Sequence, residues 1–455
     1  MYQKNYHIHF VGIGGIGMSG IAELLISLGY TVSGSDIKPG HITRRLENQG
    51  ALIFNQHSAD QIGEANVVVI STAISGDNPE VVQAKELGIP IIQRAEMLAE
   101  LMRIKYAIAV SGAHGKTSTT SMIAEVLNTA GLDPTVIVGG LLKHLDTNAL
   151  HGRGDYIVAE ADESDGSFLK YAPAIAAVTN IDLEHLDFYR DIEDIKETFL
   201  RFINSVPFYG VSVLCLDDEH IQDLLPSIQV RYMTFGMTAQ ADVQAKEIGF
   251  EGTTTSFRVI FQGNSLGRIT LNLAGRHNIS NALAAIAVGL ELDIPFETIK
   301  KALEKIEGVK RRLEIKGEKN GVLVMDDYGH HPTEIVATLQ AVRESFPEKR
   351  MVVLFQPHRY TRTQKLFNDF ATSFYRSDRL ILLPVYAASE PVIEGVDSGK
   401  LAEAIQEHGH KNVSYVSGFK EAISILTEEL KPDDLVLTLG AGDIYTLGED
   451  LLEEM

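Results

Sequence analysis

Two glycine-rich turns, each set between an apolar run and a helix-length segment, restrict this chain to one class of architecture. The first is "HFVGIGGIGMSG", in which Gly12, Gly14 and Gly17 fall on the G-x-G-x-x-G spacing ahead of "MSGIAELLISLG". The second is "VSGAHGKTSTT", with Gly112, Gly115, Lys116 and Thr117 between the run "KYAIAVSG" and another helical stretch. A strand that ends in a glycine turn and feeds a helix is a corner of a wound parallel sheet, where backbone amides and a helix N-terminus can meet an anion.

The rest of the chain repeats this texture. From Tyr6 to about Ile104, "HIHFVGIG", "YTVSGSD", "VVVIST" and "IPIIQ" alternate with helical stretches. A second series runs through "KYAIAVSG", "YIVAEAD", "IAAVTNID" and "VSVLCLDD", and a third through "VLVMDD", "RMVVLFQP", "RLILLPV", "NVSYVS" and "DLVLTLG". Strands separated by helix-length segments predict α/β units. Between Val230 and Ala274 the pattern turns β-rich, which predicts a small, mostly antiparallel sheet appended to the second unit. "HNISNALAAIAVGLEL" returns to helix, with Ser280 or Asn278 as the expected N-cap. The expectation is three α/β domains at 1–104, 105–311 and 312–455.

Composition narrows the function classes. A net charge of −21 disfavours extended binding to nucleic acid or to an anionic membrane, while leaving local cationic clusters such as "VKRR" and "HRYTR" able to hold small anions. No apolar run is long enough to span a bilayer, and "MYQKNYHIHF" lacks the zones of a signal peptide, so a cytoplasmic protein is expected. The single cysteine, Cys215 in "VSVLCLDD", reads as a small core residue in a reducing compartment.

The second turn departs from strict G-x-x-x-x-G-K-[ST] because Val110 stands where the first glycine belongs. Its working parts remain: a tight turn, a lysine for the β/γ-phosphates and a hydroxyl for Mg²⁺. "IVAEADESDGSF" offers Glu160, Asp162, Glu163 and Asp165, and "VTNIDLEHLDFY" offers Asn180, Asp182, His185 and Asp187, each at the end of an expected buried strand. Carboxylates there are costly unless paired or metal-bound, and ligands of such sheets collect at that edge. The first turn alone would suit an NAD-dependent oxidoreductase, with Asp36 on a ribose hydroxyl, but that reading leaves both acidic clusters unused. A zinc site from His330, His331 and His358 has no cysteine to accompany it, and adjacent histidines diverge on a strand.

Taken in order, "HFVGIGGIGMSGIAE", "SGAHGKTSTT", "EADESDGSFL", "NIDLEHLD", "GRHNISNALAA", "DDYGHHPTE" and "QPHRYTR" resemble the Mur ligase family, from about Ile8 to Tyr445. The resemblance implies an N-terminal Rossmann-like domain for the UDP-sugar, a central P-loop ATPase-like domain and a C-terminal Rossmann-like domain for the amino acid. It implies ATP-dependent amide formation in peptidoglycan synthesis: L-alanine joined to the lactyl carboxylate of UDP-N-acetylmuramate through an acyl phosphate, with Mg²⁺ or Mn²⁺. The alternative within the family attaches a preformed peptide to the same sugar nucleotide. A monomer or weak homodimer is expected.

The resemblance also implies roles residue by residue. Gly14, Gly15, Gly17, Asp36, Ser71 and Thr72 would hold the UDP-sugar. Gly112, Gly115, Lys116, Thr117, Ser118, Asn278, Asn281, Arg312 and Asp327 would hold ATP, and Thr117, Glu160 and His185 the metal. Tyr328, His330, His358, Arg359 and Arg362 would form the amino-acid site, with Lys116, His185, His330 and Arg359 carrying the catalysis.

Overall fold

The structure is a computed structural model and describes residues 6–38, 40–71, 73–138, 149–185, 188–308 and 310–455. It divides into two compact units: 1–246 with 258–269 and 280–306, and 247–257 with 270–279 and 307–455.

The first unit opens with β1 His7–Val11, β2 Thr31–Ser35, β3 Leu52–Phe54, β4 Val67–Ile70 and β5 Ile91–Gln93. They form a parallel sheet of order β3-β2-β1-β4-β5. That is the wound order in which the chain reverses direction beside β1, so the glycine turn after β1 sits at the switch point. Helices α1 Ile16–Ser27, α2 His41–Asn48 and α3 Pro79–Glu86 connect β1–β2, β2–β3 and β4–β5, a 3-10 turn Ala59–Ile62 joins β3 to β4, and α4 Arg94–Met102 follows β5.

The chain continues as β6 Tyr106–Ser111, α5 Lys116–Thr129, β7 Thr135–Ile137, β8 Ala149–Leu150, β9 Tyr156–Glu160, β10 Ile175–Val178, β11 Val211–Cys215, β12 Tyr232–Gly236, β13 Val243–Glu251, β14 Thr254–Phe261 and β15 Asn264–Leu271. These make one ten-stranded sheet, β15-β14-β13-β12-β11-β10-β6-β9-β7-β8. The antiparallel strands expected after Val230 are therefore continuous with the parallel sheet, because β13 pairs parallel with β12. Between β14 and β15 only Gln262 and Gly263 intervene, both at positive φ (48° and 83°), the geometry of a tight hairpin. The helix expected to start near Asn278 or Ser280 begins at Arg276, so both residues lie inside it and neither caps it.

The second unit carries β16 Glu314–Lys319, β17 Val322–Asp327, β18 Arg350–Phe355, β19 Arg379–Leu382, β20 Val413–Tyr415 and β21 Asp434–Leu439, in the order β16-β17-β21-β18-β19-β20. Only the β16–β17 pair is antiparallel among the described pairings. Period-two alternation sends Met325, Val353, Phe355 and Leu437 into one apolar layer and Val324, Val352, Leu354 and Val436 into the other. Both faces are buried, as a parallel sheet requires.

Candidate active site

The phosphate loop is held at the C-terminal edge of three adjacent strands. β6 lies between β9 and β10, with Val110 opposite Glu160 and Ser111 opposite Val178. Gly112 takes φ +134°, and a Cβ there would lie 2.1 Å from Thr179 Oγ1; Gly115 takes φ +83° and would meet Asn281 Oδ1 at 2.6 Å. Both positions need glycine for conformation and for space. The segment after β10 braces the loop: Asn180 Oδ1 accepts from His114 N–H at 2.8 Å, Thr179 Oγ1 donates to the His114 carbonyl at 2.6 Å, and Asp182 meets the His114 ring at 2.9 Å. Asn180 and Asp182 thus shape the loop.

Lys116 opens α5 and donates from Nζ to Glu163 Oε1 at 2.8 Å and to the carbonyls of Gly112 and Ala113 at 2.6 and 3.1 Å. Burial alone would lower its pKa, but Glu163 and Glu160 beside it raise it above the ordinary lysine value. Thr117 Oγ1 donates to Glu160 Oε2 at 2.9 Å. His185, at φ +54°, brings Nε2 to 3.4 Å from Glu163 Oε1. Burial pulls its pKa down, and Glu163 more than offsets this, leaving it raised. Thr119 Oγ1 donates to Asn281 Oδ1 at 3.1 Å. Lys116, Thr117, Glu160, His185 and Asn281 are therefore brought together as the sequence predicts, with Ser118 in the first turn of α5.

Glu163, like Asp162 and Asp165, is a member of the acidic cluster to which the sequence assigns no role of its own. Only 3% of its side chain is exposed, and it joins Lys116 to His185. Its three-residue offset from Glu160, past the strand end, was the available signal. Asp162 and Asp165 instead accept backbone N–H bonds from Ser164 and Ser167, which shapes the loop after β9.

At the first turn the structure departs from expectation. Gly14 N–H is donated to Asp36 Oδ2 at 2.9 Å and Gly15 N–H to the Gly12 carbonyl at 3.2 Å, so these two amides serve the turn itself. Asp36 spends its other oxygen on Lys38 N–H at 2.8 Å and acts as a local brace. Gly17 remains at the N-terminus of α1, and the Arg94 guanidinium, which the sequence did not single out, comes within 2.8 Å of where a Gly17 Cβ would sit. Arg94 also pairs with Asp162 at 3.5 Å. Ser71 follows β4 directly, and Thr72 lies outside the described residues.

In the second unit three neighbouring strands, β17, β21 and β18, end in register at Asp327, Leu439 and Phe355. The segments leaving that edge carry the expected amino-acid residues. Tyr328 and His330 rings meet edge to face at 5.4 Å, His330 and His358 at 5.8 Å, and His358 stacks on Tyr386 at 5.6 Å. Burial first, then His330, Arg362 and Arg359, push the His358 pKa down to about 4. Arg362 Nη1 lies 3.2 Å from His358 Nδ1, and since a guanidinium only donates, Nδ1 accepts and the ring proton sits on Nε2. His330 Nδ1 is 3.1 Å from the Tyr328 carbonyl, which fixes Nδ1 as the donor and puts the lone pair of the neutral ring on Nε2. Arg359 starts the helix Tyr360–Lys365 at φ +70°, a strained backbone for a residue with a side chain.

Asp327 and Arg312 are placed differently from a direct nucleotide contact. Asp327 accepts from Leu313 N–H and Gly329 N–H, both at 2.8 Å, and from Thr338 Oγ1 at 3.2 Å. Arg312 pairs with Glu334 at 3.4 Å over the Tyr328 ring. Glu334 also takes His330 N–H at 2.9 Å and so organises this corner; its signal was Pro332 followed two residues later by Glu at the start of a helix. Asn278 donates to the Ala274 carbonyl at 2.8 Å.

A phosphate loop with a buried lysine and carboxylates beside it marks a nucleoside-triphosphate site, and the chain belongs to the Mur ligase family of ATP-dependent, amide-forming ligases. The family profiles described as "Mur ligase family, catalytic domain", "Mur ligase middle domain" and "Mur ligase, glutamate ligase domain" match residues 7–106, 110–289 and 311–442. The chain is 70% identical over 453 residues to the UDP-N-acetylmuramate--L-alanine ligase of Desulforapulum autotrophicum, covering 100% of this chain and 99% of that protein. It is 58% identical to the enzyme of the same name from Desulfatibacillum aliphaticivorans, covering 99% of each. Among solved structures it resembles the UDP-N-acetylmuramate-alanine ligase of Thermotoga maritima (TM-score 0.80, 30% identity, 98% of each chain) and a murein peptide ligase from Psychrobacter arcticus (TM-score 0.68, 26% identity, 98% of each chain).

Proposed function

We propose that this chain joins L-alanine to the lactyl carboxylate of UDP-N-acetylmuramate with hydrolysis of ATP to ADP and phosphate, in the cytoplasmic synthesis of peptidoglycan precursors. The observation that carries this reading is the 70% identity across the whole chain to a ligase of that name. The peptide-attaching alternative rests on much lower identities to peptide-ligase structures, 26% over 98% of this chain and 32% over 67% of it.

A carboxylate is a poor acyl donor, so the lactyl oxygen first attacks the γ-phosphorus of ATP and ADP leaves. The amine of alanine then attacks the acyl carbonyl, and phosphate departs with the former carboxylate oxygen. Phosphoryl transfer is positioning and charge neutralisation, which is the work of the loop amides and Lys116. Lys116 would exchange part of its contact with Glu163 for the β/γ-phosphates.

The donor set fits Mg²⁺. Thr117 Oγ1 and Glu160 supply hard oxygens at the helix N-terminus, and Glu163 Oε2 is buried with no hydrogen-bond partner among the described residues. Thr117 and Glu160 would hold one ion and His185 a second, adding positive charge where negative charge accumulates in transfer. Arg359 and Arg362 would bind the carboxylate of alanine, and His330 Nε2 would take the amine proton. UDP would sit on the N-terminal sheet, near Gly17 and Arg94.

The test is product formation. With UDP-N-acetylmuramate and ATP, L-alanine should yield UDP-N-acetylmuramoyl-L-alanine by mass spectrometry, with one ADP for each amide. Turnover with a tripeptide and none with alanine would overturn the assignment.

A further inference from the structure

Beneath the first glycine turn lies a polar network that the reaction does not use. His9 and Glu80 have 0% side-chain exposure and meet at 3.0 Å through His9 Nε2 and Glu80 Oε1. Ser35 Oγ donates to Glu80 Oε2 at 2.6 Å, and His57 Nδ1 reaches the same oxygen at 2.8 Å. On the far side of His9, Nδ1 lies 2.7 Å from Ser33 Oγ, which is also 2.7 Å from His7 Nε2. The carboxylate only accepts, so Ser35, His9 and His57 all donate to it. Burying this many polar groups in the core of a five-stranded sheet is costly, and such networks persist where they fix one geometry.

What that geometry controls is visible in the backbone. The carbonyl of Ser35 accepts both Gly12 N–H at 2.8 Å and Ile13 N–H at 3.0 Å, and the next residue, Asp36, takes Gly14 N–H at 2.9 Å. The first three amides of the turn are thus held by the last residue of β2 and its neighbour. Room for adjustment is small, since a Cβ on Gly34 would lie 2.7 Å from Ile13 Cδ1 and from the Phe10 carbonyl. Glu80 is itself fixed in the first turn of α3, where Asn78 Oδ1 accepts its N–H at 3.0 Å. The carboxylate on α3 therefore ties down the strand end that shapes the turn, and the turn aims the N-terminus of α1.

We propose that Glu80 is a positioning residue for sugar-nucleotide binding, acting through Ser35 on the turn Gly12–Gly14 that presents the α1 N-terminus to the pyrophosphate. The inference rests on the reading that this sheet binds the UDP-sugar. Among the described residues the Glu80 carboxylate bonds only His9, Ser35 and His57, so its loss should act on the sugar nucleotide alone.

The experiment compares Glu80→Ala, Glu80→Gln and Ser35→Ala with wild type by calorimetric titration with UDP-N-acetylmuramate, by titration with ATP, and by steady-state kinetics. Glu80→Ala should raise Kd and KM for UDP-N-acetylmuramate by about tenfold or more, because small misplacements of a binding turn are expensive. Kd for ATP and kcat should stay within about twofold, as expected for a separate site. Glu80→Gln keeps an acceptor for Ser35 and should recover KM to within about threefold of wild type, a rescue that a requirement for charge would not allow. Should Glu80→Ala fail to fold, Ser35→Ala decides alone, with a rise of about threefold or more in KM for the sugar nucleotide and ATP binding intact. Folded variants that bind UDP-N-acetylmuramate like wild type, or that lose ATP affinity equally, would overturn the proposal. Wild type that binds ATP but not UDP-N-acetylmuramate would overturn the functional reading itself, and the proposal with it.

Discussion

Replacing Lys116 with methionine tests whether the phosphate loop stores a buried ion pair that ATP must rearrange. Lys116 Nζ lies 2.8 Å from Glu163 Oε1, with 15% and 3% side-chain exposure. Removing one partner of a buried pair leaves the other uncompensated and costs about 3–5 kcal/mol, whereas neutralising both costs little. The residual exposure of Lys116 puts Lys116→Met at the lower end, about 3 kcal/mol, or a drop of about 6–12 °C at about 2–4 °C per kcal/mol. Lys116→Met/Glu163→Gln should melt within about 1 kcal/mol of wild type while remaining inactive, since no cation is left for the phosphates. Calorimetric melting of the ligand-free protein, read beside ADP release, makes the comparison. An unchanged melting temperature for Lys116→Met, or a double variant that loses the sum of the two single losses, would refute the reasoning.

Three further outcomes are expected. Arg359→Ala should raise KM for alanine at least about tenfold while leaving both nucleotide affinities in place, as calorimetric titration would show; an unchanged KM would remove Arg359 from the carboxylate site. Arg311 is bonded to Asp326 at 3.0 Å and to the Gly440 and Gly442 carbonyls, with its guanidinium over Tyr328 and Tyr445. Arg311→Ala removes the cation bonded to the buried Asp326, which keeps only the Thr438 Oγ1 bond at 2.7 Å, and should cost about 3 kcal/mol in denaturant unfolding; a loss below about 1 kcal/mol would contradict the clamp. His277 and His358 are both held down to about 4, by burial first and then by nearby cations, so the unfolded chain binds protons that the folded one refuses. Stability should therefore fall as pH drops from about 6.5 toward 4, and His358→Gln should flatten part of that fall.

The sequence made the strand-turn-helix corners legible because glycine spacing and apolar runs are local signals. It placed Lys116, Thr117, Glu160 and His185 correctly at one edge, since parallel sheets gather their functional ends there. Glu163, Arg94, Glu334 and Glu80 were not legible as partners. Glu163 with Lys116, Arg94 with Asp162 and Glu80 with His9 meet across segments far apart in the chain, which no spacing rule encodes, whereas Glu334 sits at the helix-start spacing and caps the nearby His330 and His331 amides. Asp36 shows the converse: its distance from the glycines suited a ribose ligand, yet its two oxygens accept the Gly14 amide of the turn and the neighbouring Lys38 amide. Asn278 and Asn281 were read alike from one motif, but the helix starts at Arg276, so Asn278 turns back to Ala274 while Asn281 reaches the phosphate loop.

The most direct measurement follows one oxygen atom. UDP-N-acetylmuramate labelled with ¹⁸O in its lactyl carboxylate, incubated with ATP and L-alanine, passes that oxygen to phosphorus if activation proceeds through an acyl phosphate. One labelled oxygen should appear in inorganic phosphate for each amide formed, with ADP as the nucleotide product. Unlabelled phosphate, or label recovered in AMP, would contradict the acyl-phosphate route.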